Sequence, residues 1–357
     1  MTALTPSEID TPIEPILEPD LPIIDAHHHL WYLAGSFLDQ LRTRNDPMYP
    51  VLSARSKYLF DEVMADLSTG HNIRATVYVE ANAMYRAEGR EEMKSVGEVE
   101  FVNGIAAMAA SGAFGEVKLC AGIVGNANLR LGEHVEPILN AQIQAGGERY
   151  RGVRNITASN SEGKGALRAF SAIAPGILAD SRFRAGFGKL QGLGLSYDAV
   201  VFQPQLPEVI DLARAFPQTV IILNHVGIPI YVREHATERK ERYRKWLGDI
   251  RSLAGCRNVF VKLGGLGQAF GGFKAFRSEP PATSEQIAQE WKPFLEPCIE
   301  IFGADRCMFE SNFPVDSGSC SYPVLWNVFK RIAAGVSVSE KAALFSSTAQ
   351  RVYRLNV

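Results

Sequence analysis

The chain has 357 residues and a formal net charge of −2, with 46% of residues hydrophobic and 21% charged. This is ample apolar material for a large core, and the near-neutral balance excludes the strongly basic surface that nucleic-acid binding requires. Five scattered cysteines contain no CxxC pair, which excludes a zinc ribbon and a disulfide framework. No apolar run reaches the ~20 residues that cross a bilayer, so the expectation is a soluble, cytoplasmic protein without a membrane span.

Residues 1–20, rich in proline and acids, predict a tail, and 21–357 predict one domain. Along that domain, β-rich runs fall at 22–27, 74–80, 116–124, 150–156, 195–201, 219–225, 258–263 and 306–312. They alternate with amphipathic stretches, among them 99–110, 207–216, 238–253 and 285–302. Val220-Ile221-Ile222-Leu223 and Val259-Phe260-Val261 are apolar throughout, as strands covered on both faces should be. The alternation predicts a parallel α/β sheet. Polar residues gather at the C-terminal ends of several strands, which favours a closed (β/α)8 TIM barrel, where such ends meet at one mouth, over an open sheet. Two long connections, 31–57 and 264–283, predict loops over that mouth. The second carries Gly264-Gly265, Gly271-Gly272 and the aromatic residues Phe270, Phe273 and Phe276, a composition suited to a packed lid. The basic run 239–245 is interrupted by Glu241 and reads as a solvated helix face.

The most informative segment is Ile23-Ile24-Asp25-Ala26-His27-His28-His29. Strand alternation predicts that Asp25, His27 and His29 share one face while His28 takes the other. Two imidazoles two residues apart at a strand end can grip one divalent cation, zinc first, with manganese or iron as alternatives.

This segment resembles the opening strand of the amidohydrolase superfamily, in its amidohydrolase-2 branch of lactonases and decarboxylases. The resemblance continues in order along the chain: Gly152-Val153-Arg154, Leu223-Asn224-His225-Val226-Gly227-Ile228-Pro229, Val261-Lys262-Leu263-Gly264-Gly265-Leu266, and Phe309-Glu310-Ser311-Asn312-Phe313-Pro314. It implies an amidohydrolase-type barrel in which His225 contacts metal or acts on the substrate. Glu80, ending the second strand, is a metal ligand beside the histidine pair or the partner of Arg74 or Arg154. Arg154 holds a substrate carboxylate or carbonyl, or pairs internally with Glu80 or Asp198. Asp198 is a base or orienting group, and Lys262 lines the barrel interior or pairs with a neighbouring carboxylate.

At the eighth strand many relatives carry Ser-Asp, the aspartate serving as general base; here the residue is Asn312, whose amide accepts no proton near neutrality. Glu310, Asp316 or His225 then takes the proton, while Asn312 orients a carbonyl or binds metal through oxygen. The resemblance implies a metal-dependent hydrolase acting on a small lactone, amide or related carbonyl compound, anionic where Arg154 receives it. The alternatives are a metal-free lactonase, a decarboxylase or iron/manganese oxygenase, and a catalytically inactive partner subunit. Homo- and hetero-oligomers are both left open.

Overall fold

The computed structural model describes residues 14–159, 173–230 and 236–357. Of the expected tail, residues 1–13 lie outside the described residues. Leu17 and Glu18, by contrast, lend their carbonyls to Lys330 Nζ at 2.6 and 2.9 Å.

The apolar runs form one eight-stranded parallel sheet: β1 (Ile23–His28), β2 (Ile73–Val79), β3 (Lys118–Gly125), β4 (Tyr150–Arg154), β5 (Ser196–Ala199), β6 (Ile221–Leu223), β7 (Val259–Leu263) and β8 (Cys307–Phe309). Each strand pairs with its successor in chain order. Backbone bonds join the ends: Asn312 N donates to His27 O and His29 N to Phe313 O, both at 2.8 Å. The sheet therefore curls into a nearly closed (β/α)8 barrel with helices packed around it, among them Val96–Ala110, Leu206–Ala215, Ala236–Ala254 and Ser284–Phe302. Among the described residues, no helix is long and apolar enough to cross a membrane.

Side chains inside the strands sort into two layers. Ile24, Ala26, Ala75, Val77, Val79, Ile222 and Met308 fill the interior, and their alternate neighbours, such as Ile23, Tyr78 and Val261, face the helices. The C-terminal segment completes this interior. Tyr353 and Leu355 join the same cluster, and Lys118 Nζ donates to Asn356 O near the start of β3.

Three local departures from the sequence expectation have clear causes. First, β1 carries a bulge: Asp25 pairs with Thr76 and His28 with Tyr78, so three steps of β1 match two of β2. The extra residue shifts the alternation. Asp25 consequently lies outside the barrel wall with His28, where Tyr322 Oη donates to its Oδ2 at 3.1 Å; it does not share a face with His27 and His29. Second, β6 ends at Leu223, because His225 and Val226 adopt φ of 56° and 50° and turn the chain out of extended conformation. Third, β8 ends at Phe309, and Asn312 (φ 53°) stands in the turn beyond it.

The connection 31–57 is structured: Trp31–Tyr32 pairs antiparallel with Lys57–Tyr58, enclosing helices Gly35–Thr43 and Tyr49–Ala54. Its Met48 and Val51 cluster with Ile228 and Ile230 after β6 and with Phe270 of the connection 264–283. All these segments follow C-terminal strand ends, so the cluster forms an apolar cap over the mouth.

Candidate active site

Beneath the cap, the strand ends bring Glu80, Arg154, Asp198, His225, Lys262 and Glu310 together with His27 and His29, all buried. Three of these carboxylates, Glu80, Asp198 and Glu310, share two cations. Arg154 Nε donates to Glu80 Oε1 at 2.7 Å, and a guanidinium Nη2 bond to the Glu80 carbonyl holds the arginine further. Lys262 Nζ donates to Asp198 Oδ1 at 2.7 Å, and Asp198 also accepts from Asn224 Nδ2 at 2.9 Å and from Tyr353 Oη at 2.9 Å. Glu310 is left without a lysine or arginine partner among the described residues; its ionic neighbours are imidazoles alone.

His225 donates from Nδ1 (2.7 Å) and from its backbone N (3.1 Å) to Glu310 Oε1. Glu310 Oε2 lies 2.7 Å from His27 Nδ1 yet out of hydrogen-bond alignment, and it has no hydrogen-bond partner. One donor atom from each of His27, His225 and Glu310 lies within 4.8 Å of the others. A buried carboxylate oxygen crowded against a nitrogen that does not donate to it is the relation of two ligands aimed at a common point. The histidines are also in the right form. Burial, reinforced by the charges of Lys262 and its neighbours, holds His27 well below the usual histidine range; burial and then Arg154 do the same for His29. Neutral imidazoles with a carboxylate that no lysine or arginine neutralises are a donor set that fits a divalent cation.

His29 donates from Nδ1 to the Val79 carbonyl at 2.8 Å, so its Nε2 carries the lone pair. That lone pair faces His27 Nε2 and Asn312 Oδ1, each at 3.2 Å, and the ring stacks on Trp31 at 5.7 Å. Asn312 Nδ2 donates to Asp316 Oδ1 at 2.7 Å, and Gly267 N donates to Oδ2 at 3.0 Å. Burial pushes the Asp316 carboxyl up to about 8 against these two bonds. A glycine-lined turn makes room for the centre: a Cβ on Gly264 would fall 2.4 Å from the Glu310 carbonyl oxygen, and one on Gly267 would fall 2.8 Å from Asp316 Cβ.

The candidate site residues thus converge on one mouth, and of the roles open to Glu80 the structure shows the pairing with Arg154. Glu80 is committed to Arg154 and stands outside the three-donor cluster, whereas Glu310 stands inside it. Tyr353 and Asn224, which steady Asp198, and Trp31 beneath His29 were not singled out. Asn224 lay inside a quoted motif and Trp31 two residues after the histidines, whereas nothing local marks Tyr353.

A family model described as amidohydrolase matches residues 24–355. The chain belongs to the amidohydrolase family. It is similar over 94% of its length to protein y4mH of Sinorhizobium fredii (32% identical, 99% of that protein covered). It is also similar over 93% of its length to an L-fucono-1,5-lactonase of Burkholderia multivorans (26% identical, 96% covered). Among solved structures it is similar to an amidohydrolase from Burkholderia multivorans with bound zinc, at 25% identity and a TM-score of 0.68, with 93% of this chain and 99% of that one covered. This amidohydrolase is therefore an enzyme-family member with lactonase and hydrolase relatives.

Proposed function

We propose that this amidohydrolase is a metal-dependent hydrolase of a small lactone or closely related carbonyl compound. The observation that carries the reading is the buried Glu310, which has no lysine or arginine partner among the described residues and lies against His27 and His225. An uncompensated buried charge costs several kcal/mol, which a divalent cation offsets. Support comes also from the lactonase relative and from the zinc bound to the similar solved structure.

In this reading His27, His225 and Glu310 hold the ion, with His29 beside them. When bound, the ion polarises a carbonyl and acidifies water. The chain's own groups do the rest. Lys262 and Arg154 flank His27 at 3.3 Å each and offer positive charge to an anionic substrate and to oxygen as it gains charge. His225 keeps its Nδ1 proton on Glu310, which sets the ring and leaves Nε2 for the ion, and His29, whose Nε2 lone pair faces the same space, receives the proton of the attacking water. Asp316, held protonated at neutral pH by burial, supplies one to the departing alkoxide with Asn312 fixing its orientation. The apolar cap of Met48, Val51, Ile228, Ile230 and Phe270 excludes bulk water during the reaction.

A second reading, a metal-free lactonase, is favoured by the same two cations, since Lys262 and Arg154 already place positive charge at both nitrogens of His27. The deciding experiment measures hydrolysis of a panel of sugar lactones, alongside metal content, before and after chelation. Activity lost on stripping and restored by zinc or manganese is expected. Full activity in stripped protein selects the metal-free reading, and no turnover of any lactone removes the substrate class.

A further inference from the structure

His29 spends its Nδ1 proton on the Val79 carbonyl, which leaves a lone pair on Nε2. His27 Nε2 and Asn312 Oδ1 both stand 3.2 Å from that lone pair, in a space closed to water by burial. The neutral His27 ring keeps one proton, and with Lys262 Nζ 3.3 Å from Nδ1 that proton falls on Nε2 and points at the His29 lone pair. A fixed positive charge stands beside this pair: Arg154 Nη1 is 3.3 Å from His27 Nε2.

We infer that Arg154 is a resident cation beside the histidine pair whose charge opposes an incoming metal ion, and that its displacement toward Glu80 sets how tightly this centre binds metal. The inference rests on the metal-dependent reading above and adds a control on ion loading. Arg154 has somewhere to go. It grips Glu80 through Nε to Oε1 at 2.7 Å and through Nη2 to the Glu80 carbonyl, while Glu80 Oε2 is buried and without a hydrogen-bond partner, so a shift of the guanidinium would trade the carbonyl bond for a paired contact with the carboxylate. Lys262, on the opposite side of His27, has no such freedom. Its partner Asp198 is also bonded to Asn224 and, through both oxygens, to Tyr353. Arg154 is the movable member of the two cations, and Glu80 is its alternative seat.

Zinc is titrated into full-length protein in competition with a chromophoric chelator, for the wild type, Arg154→Met and the paired variant Glu80→Gln/Arg154→Met. Both variants are expected to bind zinc about tenfold more tightly or better. A residue that only props up the site would, when removed, loosen the ion. The paired variant removes both charges of the buried pair, leaves net charge unchanged and guards against misfolding of the single one; a thermal melt with and without zinc reports its folding. Three results overturn the inference. Equal or weaker binding by both variants removes it while leaving the metal-dependent reading intact. Tighter binding by Arg154→Met alone assigns the effect to the uncovered Glu80 charge. Zinc binding by none of the three proteins removes both the inference and the reading beneath it.

Discussion

Gly265 provides a sharp perturbation of the site. Its φ is +66°, and a Cβ built there would fall 1.9 Å from His225 Nδ1 and 2.2 Å from Cγ of the same ring. Gly265→Ala therefore imposes two costs. A left-handed conformation costs an alanine about 1–2 kcal/mol, and a side chain forced into a filled space costs about 1–3 kcal/mol more. The sum is about 2–5 kcal/mol, within the ~5–15 kcal/mol margin of a folded domain, so the variant folds but less stably. The clash is relieved by moving the imidazole, which breaks its 2.7 Å bond to Glu310 and disperses the three-donor cluster. Urea denaturation gives the stability change, and zinc affinity reports on the cluster. Gly248→Ala is the control: this glycine lies within helix Ala236–Ala254, a Cβ there meets nothing within 4 Å, and the change should stabilise by about 0.5–1 kcal/mol. If Gly265→Ala matched the wild type in both stability and zinc affinity, the packing of the seventh-strand turn on His225 would be refuted.

Three further perturbations probe other parts of the account. His28 points away from the mouth, with Nε2 2.8 Å from Thr76 Oγ1, so His28→Ala should lower stability by about 2–4 kcal/mol while leaving zinc affinity within about threefold; a large loss of affinity would contradict the bulge in β1. Glu98 is buried on helix Val96–Ala110, and burial, followed by the charge of Glu80, raises its carboxyl to about 8 from 4.5. The folded state thus holds a proton that the unfolded chain releases, and stability falls as pH rises from about 4.5 to 8, by a few kcal/mol in all. Glu98→Gln should flatten that slope in denaturation measured across the window, and an unchanged slope would refute the assignment. Tyr353→Phe removes the hydroxyl that donates to Asp198 and should cost about 1–2 kcal/mol in denaturant unfolding; no cost would mean that the C-terminal plug does not brace the Asp198–Lys262 pair.

Much of the barrel was readable from local pattern. Residues such as Val77, Val79 and Ile222 fill the interior because alternation and apolar runs report directly on a two-sided strand. The convergence of His27, Arg154, Asp198, His225, Lys262 and Glu310 was readable because parallel strands must end at one rim. What escaped was set by geometry that leaves little local trace. The β1 bulge reversed Asp25 relative to His27, and two left-handed residues took His225 off its strand. Partner choice was also hidden. Whether Glu80 meets a metal or Arg154 depends on a contact between residues 74 positions apart, and Tyr353 reaches Asp198 across 155.

The central claim concerns an ion at the carboxylate that no lysine or arginine neutralises, and it is tested most directly by anomalous diffraction from crystals of the protein grown with zinc. One strong peak in ligand contact with His27, His225 and Glu310 is the predicted result. An empty mouth at saturating zinc, in protein that still opens a lactone ring, would contradict it.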